Sequence, residues 1–289
     1  PSGYKAQKVY SVLPTNGDGD LTLTRASSAT RVNQSGLIET VATGVPRLDY
    51  SDGGCPSLLL EPQSTNLAIY SQDFANAAWS MTNSSITPNV IIAPNGTLTG
   101  SLFIENTGTG NKALFLGGTT ITAGASITES FFIKPYANHR NTLLRVASDN
   151  FTETFGIVFN SSTGQYVSTI IAGGGVLTSY EITPRNDGWY RISITGTLPT
   201  ATSIRFTTYI ADGTNSNYTG TGVNGYYIWG AQLELQSYPT SYIKTTNAIA
   251  TRLQDSASKT GLSSYINSEE GVLYAEISSL ANDGTNRFL

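Results

Sequence analysis

One cysteine, Cys55, and one histidine, His139, are all that 289 residues contain of either type. A lone cysteine excludes an intrachain disulfide, and the compartment stays open because a large β core can hold without one. The two residues lie in unrelated stretches. A nucleophile needs a base that a third group orients, so no catalytic pair is expected from them. Charge is scarce as well, at 12% of residues, where an ordinary soluble domain has roughly 25%. The 16 Lys and Arg are scattered among 20 Asp and Glu, for a net charge of −4. No basic run exists to follow a phosphate backbone, which argues against a nucleic-acid partner. No stretch reaches the roughly 18 apolar residues of a membrane span, so no membrane insertion is expected. The opening "PSGYKAQK" has no apolar h-region and does not read as a signal peptide. It also lacks an initiator Met, which suggests processing or a start inside a longer protein.

What fills the chain instead is Gly (29 residues), Tyr (16 residues) and an abundance of Ser, Thr and Asn. Few charges, many hydroxyls and many β-formers describe an all-β chain with polar turns. Residues 1–65 are broken by Pro46, Pro56 and Pro62, and hold a hairpin signal: Thr30–Val32, a turn at Asn33–Gly36, then Leu37–Val41. The run Leu58–Leu60 reads as an extended docking edge. This section is too small for a core of its own and is expected to pack on a neighbour. Residues 66–245 carry period-two alternation. Ile127, Phe131 and Ile133 share one face; so do Phe155, Ile157 and Phe159; Tyr190, Ile192 and Ile194; and Ile204, Phe206 and Ile210. In "GYYIWGAQLELQ", Tyr227, Trp229, Ala231, Leu233 and Leu235 alternate with Gln232 and Glu234. About eight strands at this spacing predict an antiparallel β-sandwich of the jelly-roll type. One short helix is expected over "SQDFANAAW", capped by Ser71 and closed by Trp79. Residues 246–289 read as a polar connection, "TNAIATRLQDSAS", then the strand "GVLYAEISSL" and a turn. A lone hairpin is marginal in water, so a further β domain is expected to start here.

Several residues invite a chemical reading. "NGDGD" at 16–20 alternates oxygen ligands, but it lacks the sixth-position glycine and twelfth-position glutamate of a calcium loop and reads as a plain turn. No metal or cofactor is expected. Glu129 and Glu153 lie on or near strands, where solvated faces are expected rather than a glycosidase pair. Trp229 is expected in the core. Tyr209 and Tyr226 fall on the polar faces, in strand phase with Arg205 and Gln232. An aromatic ring with flanking polar groups suits a sugar, so Arg205, Tyr209, Tyr226 and Gln232 are the candidate glycan contacts.

Residues 28–79 hold the pattern "ATRVN-x-x-GLIE … VPRLDY … PSLLLEPQ-x-TNL-x-x-YS-x-DF". This run resembles a segment recurring in fibre and appendage proteins of tailed bacteriophage virions. The stretch ending in "GYYIWGAQLELQSYPTSYI" is similar to the carbohydrate-binding-module-like jelly roll that often accompanies it. "GVLYAEI" is similar to the first strand of a concanavalin-like lectin domain. The resemblance implies a non-enzymatic head or tail fibre on the virion surface, often a homotrimer, bound to other virion proteins through residues 1–65 and displaying modules toward cell-surface glycans. It supplies no catalytic residues. A secreted bacterial carbohydrate-binding adhesin is the second reading, and a polysaccharide depolymerase the third.

Overall fold

The computed structural model describes residues 22–258 continuously, together with 3–5, 8–10, 260, 269, 277 and 278. The "NGDGD" turn and, apart from residues 277 and 278, the strand and turn expected near residue 271 onward lie outside the described residues.

Thirteen strands build the body. They are β1 (Ser80–Thr82), β2 (Ser84–Ile92), β3 (Leu98–Glu105), β4 (Thr109–Thr120), β5 (Ser126–Pro135), β6 (Asn141–Ser148), β7 (Thr154–Asn160), β8 (Gln165–Ala172), β9 (Val176–Pro184), β10 (Tyr190–Thr197), β11 (Ser203–Ala211), β12 (Asn217–Thr219) and β13 (Gly225–Glu234). All pair antiparallel in two stacked sheets. One runs β2-β3-β13-β5-β10-β9, and the other β8-β7-β6-β11-β4-β12 with β1 added beside β4. The expected all-β sandwich is the observed fold, with more strands than the eight expected. Between the sheets lies one apolar cluster that includes Phe131, Ile133, Phe155, Ile157, Phe159, Ile192, Ile194, Phe206 and Ile210. These are alternating residues on four strands, so the period of two selects the buried face directly.

Two local expectations fail for identifiable reasons. No α-helix forms among the described residues, and "SQDFANAAW" is a chain of turns. Ser71 is engaged elsewhere, sharing a 2.7 Å hydrogen bond with the Tyr242 hydroxyl and accepting from the Thr245 amide at 2.9 Å. Phe74 and Trp79 then insert edge-on into the core, with ring centroids 5.0 Å apart. Tertiary burial of these two rings outweighs the weak helix signal. The second failure is the single face assumed for β13. Opposite β5, Ser130 faces Gln232 but Phe132 faces Trp229, so Gly230 and Ala231 oppose one residue and form a bulge. The bulge reverses the alternation. Tyr226, Ile228, Ala231 and Leu233 point into the sandwich, whereas Tyr227 and Trp229 point out of it. Leu235 is exposed.

Residues 22–67 and 236–258 together cover the middle of the outer face of the six-stranded sheet, over β13, β5 and β10. Trp229 is buried there with Phe132, Trp189, Tyr242 and Ala93, so it is a core residue of a second cluster rather than of the sandwich interior. The connection expected to be a plain polar linker pairs back on the N-terminal section: Ala250–Arg252 with Ser64–Asn66, and Ser256–Ser258 with Thr22–Thr24. A buried ion network locks this closure. Arg47 donates to Glu61 at 2.6 Å and also bonds Asp255. Arg25 meets Asp255 at 2.8 Å, and Arg252 lies 3.4 Å from Glu61. The Ser241 amide and hydroxyl both donate to Glu61, at 2.7 and 2.6 Å. The expected hairpin is present as Ala29–Val32 paired with Ile38–Val41, its turn closed by Asn33 Oδ1 accepting from the Ser35 and Leu37 amides.

Candidate functional site

The outer face of the seven-stranded sheet presents mainly its own side chains. On β11 the outward residues are Arg205, Thr207 and Tyr209, since Ile204, Phe206 and Ile210 take the inner positions. Register places Arg145 of β6 and Phe115 of β4 on either side of Thr207. Gly156 of β7 lies beside Arg145 on its other flank, where a Cβ would meet the Arg145 backbone and Cβ within 3.2 Å. The missing side chain leaves room for Arg145 to lie along the sheet.

Guanidinium groups and rings then alternate across the face. The Arg205 guanidinium carbon sits 5.3 Å from the Phe115 ring centre and 4.4 Å from that of Phe151. The Arg145 guanidinium carbon sits 5.2 Å from Phe151 and 4.7 Å from Tyr209. Each such pair is worth about 0.5–1 kcal/mol where solvent reaches it. Phe151 comes from the tip of the β6–β7 hairpin and has φ = +60°, a conformation that costs a residue with a Cβ roughly 1–2 kcal/mol. The tip is held from below. The Phe151 amide donates to Ser148 O at 2.8 Å, and Asn150 Oδ1 accepts from the Ser148 and Thr152 hydroxyls at 2.8 and 2.7 Å. Despite this fixation, 49% of Phe151 is exposed. A strained backbone that projects an apolar ring into water beside two cations has the marks of a contact site.

Polar groups complete the face. Arg205 Nη2 donates to Asp149 O at 2.9 Å, and its Nε lies 3.3 Å from Asp149 Oδ1. The Arg145 Nη2 donates to the Tyr209 hydroxyl. Burial, the larger influence, pushes the Tyr209 phenol upward although the Arg145 charge pulls it down. It therefore stays protonated at neutral pH. The arrangement offers a ring for an apolar sugar face and forked donors for oxygen atoms.

Of the four expected contacts, Arg205 and Tyr209 come together here, with the Tyr209 ring almost wholly covered by its neighbours on the same sheet, Arg145, Leu143 and Val158 among them. Tyr226 and Gln232 do not join them. Tyr226 lies inside the sandwich, its hydroxyl 2.5 Å from that of Thr208. Gln232 is sealed under residues 240–243, donating to Thr240 O at 3.2 Å and accepting from the Ile243 amide at 2.7 Å. Unbroken alternation puts both on a wet face; the Gly230 bulge and the covering layer remove them from it. Arg145 and Phe151 are not among the expected contacts. "NFT" at a hairpin tip gives no local sign that its phenylalanine turns outward over the sheet.

The two acids expected on solvated faces are both buried. Glu129 points between the sheets, flanked by Ile194 and Leu233. The Thr207 main chain approaches it without closing a hydrogen bond of normal geometry. Burial pushes its carboxyl well above the ordinary value of 4.5, against the opposing pull of the Arg145 charge. Glu153 accepts from the Thr200 and Ala201 amides at 3.1 Å, closing a loop. Another polar cluster gathers at Glu105, which accepts from Thr221 and Asn224 at 2.8 Å and from Tyr218. Its groups satisfy one another. His139 and Cys55 are exposed loop residues. Among the described residues no group of three or more His, Cys, Asp and Glu converges as a metal site would need.

No protein-family model matches the chain, and no curated protein matches it. Three solved structures are similar in part. The enzymatically active domain of tailspike protein 4 of bacteriophage CBA120 aligns at a TM-score of 0.35 and 13% identity, over 58% of this chain and 21% of that one. TmCBM27, a carbohydrate-binding module with specific mannan recognition, aligns at 0.31 and 11%, over 62% of this chain and 98% of that one. A carbohydrate-binding module of the β-sandwich superfamily, described as promiscuous in specificity, aligns at 0.34 and 12%, over 75% and 87%. The chain thus spans about a fifth of the tailspike domain it aligns with. Likenesses this partial carry no functional weight; the chemistry of the Arg145–Phe151–Arg205 face does.

Proposed function

We propose that this chain is a non-catalytic, glycan-holding module of a bacteriophage fibre or appendage. The observation that carries the binding role is the half-exposed Phe151 ring, held at a left-handed backbone position between Arg145 and Arg205. Sugar rings stack on such a surface while the guanidinium donors take their hydroxyls. Binding without bond cleavage is supported by the two acids on or near strands: Glu129 lies inside the sandwich and Glu153 is consumed by loop hydrogen bonds. The virion role is supported by the resemblance of residues 28–79. Within that segment Arg47 and Glu61 turn inward to lock the fold, so attachment to other virion proteins falls to its outward residues, among them the exposed Val45 and Leu60. Trimerisation is supported by the edge strands β8 and β9, where Val167, Ile171 and Val176 are exposed, the Tyr166 and Tyr180 rings stack 4.9 Å apart at the surface, and Glu181 is the one charged residue.

Surface-glycan preparations from candidate host cells, immobilised and probed with the chain, test the binding role. Retention is expected, and Phe151→Ala should weaken it at least tenfold. Equal retention of the variant would count against this face. Immunogold labelling of particles tests the virion role, and light scattering the trimer.

A further inference from the structure

Six of the nine arginines among the described residues sit against an acid. Arg25, Arg31, Arg47, Arg140, Arg205 and Arg252 each have a carboxylate oxygen within 3.4 Å. Arg145, Arg185 and Arg191 show no such pair; Arg191 donates instead to Ser130 Oγ and Thr240 O, and of the three it is Arg145 that stands against the Phe151 ring. Among the described residues it makes no ion pair, and of its nitrogens only Nη2 is engaged, by the neutral Tyr209 hydroxyl. Its Nε is buried with no hydrogen-bond partner. Arg205 on the same face has Asp149, so Arg145 is the guanidinium of this face without an acid of its own. Two acids stand near it. Asp149 is turned to Arg205 and to the Ser203 hydroxyl. Glu129 lies on the inner side of the sandwich, where burial favours its uncharged form. Neither supplies a countercharge on the outer surface.

We infer that Arg145 makes this face selective for acidic polysaccharides, pairing its guanidinium with a uronate carboxylate while Phe151 packs against the apolar side of the same or the adjoining sugar. This rests on the glycan-binding reading and narrows it. The geometry suits the task. A guanidinium fork matches a carboxylate in two parallel hydrogen bonds, which a hydroxyl cannot reciprocate. Arg145 and Arg205 both approach the Phe151 ring, at 5.2 and 4.4 Å from its centre, and about half of the residue stays open, so a sugar packed on the open part has both cations close by. The Asp149 carboxylate beside Arg205 makes the Arg205 end close to neutral, which leaves the attraction centred on Arg145.

The test uses the full chain and three soluble polymers of similar length: polygalacturonate, the same polymer after reduction of its carboxyl groups to alcohols, and polyglutamate. Isothermal titration at about 0.15 M salt, where the screening length is about 8 Å, suppresses long-range attraction. The expected result is binding of polygalacturonate at least tenfold tighter than of its reduced form and of polyglutamate. Arg145→Gln should remove that preference and Arg145→Lys should keep part of it. Far-ultraviolet circular dichroism establishes that each variant is folded, and the three-polymer comparison on the unaltered protein stands whatever the variants do. Equal binding of the reduced polymer, or a preference for it, overturns the inference and leaves the glycan-binding reading in place. Polyglutamate binding as tightly also overturns it, since charge alone would then suffice. If none of the three polymers binds, a wider set of neutral glycans decides: binding there overturns only the preference for acids, and silence there overturns the glycan reading as well.

Discussion

A Cβ built on Gly230 would lie 2.8 Å from the Phe132 ring, and Gly230 holds φ = +65°. These two residues explain why β13 has one face before the bulge and the opposite face after it. The left-handed backbone lets the strand insert a residue, and the absent side chain lets Phe132 close against Trp229, with ring centroids 5.3 Å apart. Gly230→Ala should therefore cost about 2–5 kcal/mol, combining left-handed strain with overpacking. Chemical denaturation measures it, and a loss under about 1 kcal/mol would contradict the bulge.

The ion network predicts sensitivity to acid. Burial pushes the Glu61 carboxyl up, but the Arg252 and Arg47 charges and the Ser241 hydrogen bonds together hold it below its ordinary 4.5. A lowered folded-state value contributes stability above about pH 4.5 that disappears as pH falls through the lower value. Arg47→Met removes one cation, leaves Glu61 and Asp255 underpaired, and should cost about 3–5 kcal/mol at pH 7. Its acid unfolding should begin at higher pH than in the unaltered protein, as circular dichroism across pH 2–6 will report.

Glu129 predicts the opposite slope. Its folded-state value is raised, so the stability it contributes is complete below about pH 4.5 and is lost as pH rises from there through the raised folded-state value. Glutamine keeps the shape without the ionisation. Glu129→Gln should melt several degrees above the unaltered protein at pH 8 and show little difference at pH 4. A variant less stable at pH 8 would mean that Glu129 is charged and compensated.

Phe151→Gly separates strain from contact. Glycine relieves the left-handed backbone but gives the unfolded chain more freedom, and the two effects are of similar size. Stability should stay within about 1 kcal/mol of the unaltered protein. Glycan retention should nonetheless fall at least tenfold. Loss of both together would make Phe151 a packing residue.

Tyr226 provides the reverse control. Tyr226→Phe removes the hydroxyl that meets Thr208 in the interior, and should cost about 1–2 kcal/mol by leaving a buried hydroxyl unpaired. Glycan retention of the folded variant should not change. A selective loss of binding would place Tyr226 at the surface after all.

What the chain by itself determines is the local period. Ile204, Phe206 and Ile210, or Phe155, Ile157 and Phe159, mark a buried face wherever a strand runs unbroken, because successive side chains must alternate. Its turn residues and shortage of charge likewise point to stacked antiparallel sheets. Tertiary structure decides what happens where that period is interrupted or where both faces are covered. The Gly230 bulge depends on its fit to Phe132 across the sheet. The dry outer side of β13 depends on residues such as Tyr242 and Ile38, which other segments bring to it. Tyr226 and Gln232 look polar and strand-borne, yet whether water reaches them is settled by the bulge and by what packs above the strand, whereas Glu129 shares the parity of Ile127, Phe131 and Ile133 and is buried with them. Arg145 and Phe151 meet Arg205 and Tyr209 only because β6 pairs beside β11, a contact between segments remote in sequence that no local pattern encodes.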